Sequence, residues 1–509
     1  MDRFKKVCYN IDEVITLLKS IKKQNILYAI LIYIGNIIIL SPLMIYSGQN
    51  FSVDSYGIAL NYREHTEAFI GSYRWFGAFI YETYYKIFNH NPITDSTIDC
   101  IVFIFLVAAI VSFFSYTLYK LLNKKSILSH ILINLSVLIS VLNVWYCDIL
   151  SFPECVFITA IGTVLCFSAV IVFAKNQTVG GYILSSVLII LATGVYQQFL
   201  FVFTIFIVAI CGCEVIKNKE KTFKGLFFRY AKPVVLILVS GITYFAMGKL
   251  VQRVFDVAPN ERVALSVSTI IENCFYFAGK QHSYLKGRGF FETEILTISF
   301  LAVGFIWFIC IVKEWLKNRN TLTTLVICAS FAAAYISAYV PGILSTSHAA
   351  RAMFALFSVF ALFTITTLIL SESKFIKTAL CTILSIVLIS NIFVFVNHEI
   401  NLKKQNDVDK LWSEQIIEAI ESYEEQEQDV KQIYYCYDDK TELAEYAESA
   451  VYYKYSLRSM INYYSNREFK VVEMTDEEKN FYFKDNNWDD INIEEQLIFV
   501  DDCVYLCCY

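Results

Sequence analysis

The sequence predicts an all-α polytopic membrane protein that carries a small α/β domain at its C-terminus. The 509-residue chain is 56% hydrophobic and 17% charged, which is more apolar than an ordinary soluble domain. Its apolar residues come in runs of about 20, the length that crosses a ~30 Å hydrocarbon core. After Asn397 the composition turns polar and acidic, as expected of a water-exposed domain.

The apolar runs predict about 11 transmembrane helices. The first run follows Lys22 and Lys23 without a cleavage pattern, so we expect a retained span and not a signal peptide. One uncharged stretch before Glu214 is too long for a single helix, and we divide it at Tyr196 to Gln198. The predicted spans are 26–46, 101–119, 127–146, 154–173, 180–195, 199–216, 233–251, 294–312, 322–340, 352–370 and 378–396.

Lysine and arginine residues predict the orientation, because cytoplasmic segments are enriched in them. They cluster before the first span and again around 120–125 and 217–232. This places the N-terminus in the cytoplasm, and an odd number of spans puts the C-terminus outside. We therefore expect a transmembrane domain over residues 1–397, with outer loops 47–100 and 252–293. An extracytoplasmic α/β domain over 398–509 completes the chain, with strands in KQIYYCYD, EFKVVEM and EQLIFVDDCVYLCCY.

The inner segments are short and carry mostly scattered lysines. None of them holds a strand, a glycine-rich turn and a helix that could cradle a pyrophosphate. This argues against nucleotide-dependent chemistry, and we expect a bilayer and not a nucleic acid as the partner. Polar side chains such as Asp148 gather instead on the outer segments, so a substrate would arrive through the lipid or from the outer solution.

The stretch NFSVDSYGIALNYREHTEAFIGSYRWFGAFIY follows directly after the first span. It brings Asp54 to the membrane surface within eight residues of Tyr46. A carboxylate there could take the proton of an acceptor hydroxyl, and an arginine such as Arg74 could hold the phosphate of a lipid-linked donor. Asp54 could equally cap the helix that follows it, and the two roles are compatible.

Other outer residues are candidates for substrate binding. Lys280, Arg288 and Arg351 are basic groups that could seat a donor phosphate. Side chains that could contact the sugar or the acceptor are Arg63, Glu64, Glu154, Tyr196, Gln197 and His282. Gln197 and Gln198 need no role beyond a turn between two spans, and His348 is equally well explained as a structural histidine.

The ordered series SVDSYGIAL, GSYRWFGAFIYETYYKIF and ATGVYQQFLFVFTIFI resembles the bacterial glucosyltransferase GtrII family across most of residues 20–400. The resemblance implies an integral membrane enzyme of the GT-C class in the bacterial plasma membrane. It would transfer glucose from a polyprenyl-phosphate carrier to a surface polysaccharide on the extracytoplasmic side. It also implies that Asp54 is the catalytic carboxylate and that Arg74 is the arginine of the RW element.

One feature departs from that family pattern. Members often carry two adjacent acidic residues in the first loop, whereas Asp54 stands between Val53 and Ser55. A divalent metal is left open as a cofactor, since hard cations need several oxygen ligands. None of the 15 cysteines has zinc spacing. A polysaccharide polymerase and a flippase for lipid-linked saccharides remain alternatives; a flippase would show matching broken spans, and no internal repeat is visible.

Overall fold

The structure is a computed structural model that describes residues 23–47, 50–220, 222–260, 266–287, 293–346, 348–437, 449–484 and 492–508. Helices dominate the described residues up to Glu424. In chain order they are α1 Lys23–Ser47, α2 Ser55–Leu60, α3 Tyr62–Gly71, α4 Trp75–Phe88, α5 Ser96–Leu121, α6 Ile127–Val141, α7 Val144–Leu150, α8 Pro153–Lys175, α9 Val179–Val195, α10 Gln198–Asn218, α11 Phe223–Val254, α12 Val267–Lys286, α13 Glu294–Asn318, α14 Thr321–Ser337, α15 Val340–Ile343, a 3-10 helix Ala350–Ser358, α16 Val359–Leu370 and α17 Lys374–Glu424.

All eleven predicted spans coincide with helical segments, and the helix is interrupted within 127–146 and within 322–340. Within the described residues, seven helices are long and apolar enough to cross a membrane, and an eighth crossing results if the bent pair α6 and α7 counts as one span. The apolar helices 27–43, 179–195 and 321–337 are shorter than these. The chain is therefore a membrane protein, and the number of 11 crossings stays a prediction.

The predicted span 127–146 is not straight, because the chain bends by 52° between α6 and α7. Asn143 makes the bend: its backbone is extended, and its side-chain oxygen accepts a hydrogen bond from the Tyr146 backbone N–H. Its amide nitrogen donates to the carbonyl of Ile139 at 3.1 Å, which satisfies an end of α6. The bend turns α7 and carries Asp148 to the end of the bundle where Asp54 lies.

The division between α9 and α10 falls where the sequence predicts it. Tyr196 has extended backbone angles and separates the two helices. Gln198 then ties the turn into the core, because it donates to the Ala338 carbonyl at 3.2 Å and accepts from the Ala355 backbone N–H at 3.3 Å. The break leaves Tyr196 at the same end of the bundle as Asp54.

The predicted boundary at residues 397/398 is not marked by a break in the chain. α17 runs for 51 residues, from the last apolar span through the amphipathic stretch that follows it. In the part of the C-terminal region that the structure describes, the further elements are β1 Gln432–Tyr437, a 3-10 turn Ala450–Tyr452, α18 Lys454–Ser465, β2 Lys470–Glu473, α19 Asp476–Phe483, α20 Ile493–Gln496, β3 Leu497–Val500 and β4 Cys503–Cys508.

These C-terminal strands form one four-stranded sheet in the order β2-β1-β4-β3. β1 pairs in parallel with β2 and β4, and β3 and β4 form an antiparallel hairpin. The core of this unit also receives Tyr56 of α2, which is completely buried against it. The segment that holds Asp54 is therefore packed into the C-terminal unit as well as into the helix bundle.

Candidate active site

Two cavities meet at the end of the bundle where Asp54 lies. The polar cavity has a volume of about 490 Å³ and is lined by Asp54, His65 and Glu154, among others. The apolar cavity has a volume of about 410 Å³ and is lined mostly by side chains such as Leu200 and Phe245. The two cavities share five of their lining residues, which are Ser72, Arg74, Tyr196, Asn260 and Arg351.

Asp54 occupies the residue position that would cap α2, but its side chain makes no capping hydrogen bond. The carboxylate of Asp54 therefore does not cap α2. Its Oδ1 atom instead accepts a hydrogen bond of 2.8 Å from the hydroxyl of Tyr455. The carboxylate thus faces the polar cavity and accepts a hydrogen bond from a hydroxyl there, which is the contact that a general base needs.

The segment that carries Asp54 is fixed by buried acids on either side. Glu154 accepts hydrogen bonds from the hydroxyls of Ser52, at 3.2 Å, and Ser55, at 3.0 Å. The side-chain amide of Asn50 donates to the carboxylate of Glu399 at 2.8 Å. These hydrogen bonds hold the segment on both sides of Asp54 and so define where Asp54 lies.

Glu154 is predicted to contact the sugar or the acceptor, and in the structure each of its oxygens accepts a hydrogen bond from a serine hydroxyl. We assign it a positioning role. Glu154→Gln should cost roughly 1–3 kcal/mol of stability, because an amide has only one acceptor oxygen for the two hydroxyls. We expect a lower melting temperature in detergent and a lower kcat for sugar transfer, with the KM of the donor unchanged. An unchanged melting temperature and kcat would remove this role.

Arg74 points into the site from a strained turn. The preceding residue, Tyr73, has a φ of 61°, a conformation that costs energy for a residue with a side chain. The neighbours hold it there: the Tyr244 hydroxyl donates to the Tyr73 carbonyl at 3.1 Å. Gly248 allows the ring to approach, since a Cβ at that position would lie 2.6 Å from it. The strained turn at Tyr73 therefore directs the guanidinium of Arg74 toward both cavities.

The guanidinium of Arg74 lies over the ring of Tyr196, at 4.3 Å from the ring centre. Its Nε atom is buried and has no hydrogen-bond partner among the described residues. No carboxylate of the described residues forms an ion pair with it within 4.0 Å. A half-buried cation without an anion is unfavourable, so this position favours an anionic ligand.

Arg351 is the second cation of the site. Its guanidinium lies over the Phe152 ring at 4.9 Å, and its Nη1 atom is 4.0 Å from Oδ1 of Asp148. Asp148 has no assigned role in the sequence-based prediction, although it lies near a predicted outer face. Its distance to Arg351 in the structure is what places it in the site. At this distance the pair leaves room for Arg351 to contact a further anion.

His65 and Asn260 also line the site, and neither is among the predicted site residues. Burial, and secondly the charge of Arg74, lower the pKa of His65 to about 3. The ring is therefore neutral near pH 7. Its Nε2 atom is buried without a partner among the described residues, which makes it a neutral hydrogen-bonding group beside the polar cavity.

The other predicted site residues have varied positions. Glu64 lines the polar cavity, and Gln197 lines the apolar cavity while donating to the Ser72 carbonyl at 2.7 Å. Arg63 and Lys280 are exposed and line neither cavity, and Arg288 lies outside the described residues. His282 is exposed and bonded to Glu294, at 2.9 Å.

His348 makes contacts of the kind expected of a structural histidine, which is its alternative to a role in the site. Its Nε2 atom is 2.8 Å from Oδ1 of Asn273, and its ring stacks on Tyr276 at 4.0 Å. It lines neither cavity.

A divalent metal finds no ready site in the part of the chain that the structure describes. There, no three side chains of His, Cys, Asp or Glu converge as metal ligands. The polar cavity offers Asp54 and Glu154, but the latter already binds two serine hydroxyls. We therefore route no step of the chemistry through a metal.

Sequence comparison decides the family. The model of the family described as glucosyl transferase GtrII matches residues 43–368. The chain belongs to this family. Membership in GtrII makes the protein a glycosyltransferase of the membrane, as the sequence motifs indicate. A comparison with curated proteins found no match. The GtrII match contains Asp54, Arg74, Tyr196 and Arg351, and it ends before α17 and the C-terminal sheet.

Proposed function

We propose that this protein transfers glucose from a polyprenyl-phosphate carrier to a cell-surface polysaccharide, with Asp54 as the general base. The observation that carries the proposal is the placement of Arg74 and Arg351 between a polar and an apolar cavity. A prenyl-phosphate sugar has the same order of parts: an apolar chain, an anionic phosphate and a polar sugar. The ligand would place its phosphate at the two arginines and its glucose in front of Asp54.

The apolar cavity lies beside a surface that suits lipid. One wall comes from α11, whose outward side chains include Leu238 and Ile242, with 58% and 70% exposure. Phe245 and Leu344 line the cavity and are themselves 41% and 45% exposed. A prenyl chain dissolved in the bilayer could therefore enter this cavity from the side. The sugar phosphate of the donor would not need to cross the membrane.

The proposed reaction is a direct displacement. An acceptor hydroxyl oxygen attacks C1 of glucose, its proton passes to Asp54, and the bond between C1 and the phosphate oxygen breaks. The phosphate changes from a diester to a monoester and gains negative charge as it leaves. Arg74 and Arg351 are positioned to stabilise that developing charge, and cations fixed in advance stabilise a transition state more effectively than mobile water does.

The lysine and arginine pattern supports an extracytoplasmic site and C-terminal domain in a GT-C-type arrangement of the bacterial plasma membrane. This predicts that a cysteine at Glu67, exposed on α3, reacts with a membrane-impermeant maleimide in intact cells. Lys125→Cys, on a predicted inner loop, should react only after permeabilisation. Both variants carry Cys274→Ser, because Cys274 is an exposed native thiol. The reverse labelling pattern would overturn the proposed sidedness.

A lipid-linked saccharide flippase is the second candidate, because it would use the same two cavities. It would move the donor across the bilayer without breaking the bond to phosphate. The two functions are separated by supplying glucose-labelled polyprenyl phosphate and polysaccharide to the purified protein in detergent. Label that appears in the polysaccharide requires transfer, whereas a flippase leaves all label on the lipid.

A further inference from the structure

Two exposed tyrosines stand at the rim of the polar cavity, directly beside Asp54. Tyr453 and Tyr455 are 36% and 54% exposed, and their rings are 5.8 Å apart. Both line the polar cavity, and Tyr455 donates the hydrogen bond to Asp54. They lie beyond residue 368, so the match to GtrII does not account for them.

The tyrosines are mounted on a rigid support. They adjoin α18, which packs on α2 so closely that a Cβ on Gly57 would lie 3.3 Å from the Ser459 hydroxyl. The Ser456 hydroxyl donates to the Val53 carbonyl. The Tyr56 hydroxyl is 3.3 Å from that of Tyr464. The tyrosine pair and the Asp54 segment therefore keep a fixed spacing, which a binding site requires.

The hydroxyl of Tyr455 marks where an acceptor hydroxyl would bind. A general base must lie about 2.6–3.2 Å from the oxygen whose proton it takes. The Tyr455 oxygen is 2.8 Å from Oδ1 of Asp54, within that range. An acceptor hydroxyl that gives its proton to Asp54 would bind beside the tyrosine hydroxyl or in its place, so the acceptor sugar would come to lie against the tyrosine rings.

We propose that Tyr453 and Tyr455 form the acceptor subsite and bind a pyranose ring of the acceptor polysaccharide. A pyranose has an apolar face of C–H groups and a rim of hydroxyls. Tyrosine offers the matching surface, an apolar ring with a polar tip. Asn61 and Glu64, which line the same cavity, supply hydrogen-bonding groups for the hydroxyl rim. In the absence of acceptor, the Tyr455 hydroxyl occupies the acceptor position on Asp54.

This inference rests on the proposed function and is tested by kinetics with two substrates. The full-length protein is supplied with polyprenyl-phosphate glucose and with surface polysaccharide isolated from the cell of origin. Tyr453→Ala and Tyr455→Ala should each raise the KM for polysaccharide by about tenfold through loss of ring contact, with the donor KM unchanged. Tyr455→Phe keeps the ring and should stay within about threefold of wild type.

Phe481→Ala is the matched control, because Phe481 is an aromatic residue of the same C-terminal unit that is 79% exposed and lines neither cavity. It should leave both KM values unchanged. The inference is overturned if both alanine variants keep the wild-type KM for polysaccharide, or if Tyr455→Phe loses as much as Tyr455→Ala. In either case the proposed function stands as long as the wild type transfers glucose to the polysaccharide, whereas a wild type that transfers none would remove the proposed function itself.

Discussion

Replacing Asp54 by asparagine is expected to lower the kcat of sugar transfer by about 10²- to 10⁴-fold, the usual contribution of a general base. The amide keeps the shape of the side chain but cannot take a proton. Because Asp54 makes no capping hydrogen bond to α2, the substitution removes little from the fold. Initial rates of label transfer from polyprenyl-phosphate glucose to polysaccharide, measured at equal protein concentration, give this ratio directly.

Glu67→Gln provides the matched control for this loss. Glu67 lies on the neighbouring helix α3, is exposed and lines neither cavity. Its neutralisation changes the charge of the same loop region by the same amount and should leave the kcat unchanged. Transfer by Asp54→Asn within twofold of wild type would remove Asp54 from the mechanism, and an equal loss in Glu67→Gln would reduce the effect to general electrostatics.

Replacing Arg74 by glutamine should lower kcat/KM for the donor by about 10²- to 10³-fold, as removal of one group that stabilises developing charge commonly does. Arg74→Lys should recover little of the loss. A lysine retains the charge but lacks the planar guanidinium that stacks on Tyr196 at 4.3 Å and can bind phosphate through two N–H groups. The measurement is the dependence of initial rate on donor concentration, at saturating polysaccharide.

Arg253→Gln is the control for this series, because Arg253 is exposed near the end of α11 and lines neither cavity. Its donor kinetics should equal those of wild type. Donor kinetics of Arg74→Gln that match those of Arg253→Gln would exclude Arg74 from phosphate binding.

Arg74 is a cleaner test than Arg351. Removal of Arg351 would leave the Asp148 carboxylate, which is 12% exposed, without its nearby cation. Removing one member of a buried ion pair destabilises a protein by itself. A loss of activity in an Arg351 variant would therefore combine two effects, whereas Arg74 has no ion pair to break among the described residues.

Hydrophobic pattern predicted the helical segments well, because an apolar run of span length has few alternatives to a helix. The break at Tyr196 was also visible, since the uncharged stretch was too long for one span. The bend at Asn143 could not be predicted, because an asparagine within an apolar run does not indicate that its side chain will cap a new helix. The unbroken α17 was missed because the change in composition at Asn397 predicted a boundary, whereas helix propensity continued through it.

The candidate site was only partly predictable for the same physical reason. Asp54 and Arg74 stand out locally, as polar groups directly after an apolar run. The partition of their surroundings into a polar and an apolar cavity depends on the tertiary packing of several helices. The contact between Asp54 and Tyr455 joins residues 401 positions apart, and no local pattern could predict it.

We propose that Arg74 and Asp54 have separate roles, in which Arg74 holds the phosphate and Asp54 takes the proton. Equilibrium binding of tritium-labelled polyprenyl-phosphate glucose to the wild type, Asp54→Asn and Arg74→Gln in detergent tests it most directly. We expect Asp54→Asn to bind the donor at least as tightly as wild type, since one negative charge near an anionic ligand is removed. We also expect binding by Arg74→Gln that is at least about tenfold weaker. Full donor binding by Arg74→Gln, or loss of binding by Asp54→Asn, would contradict these separate roles.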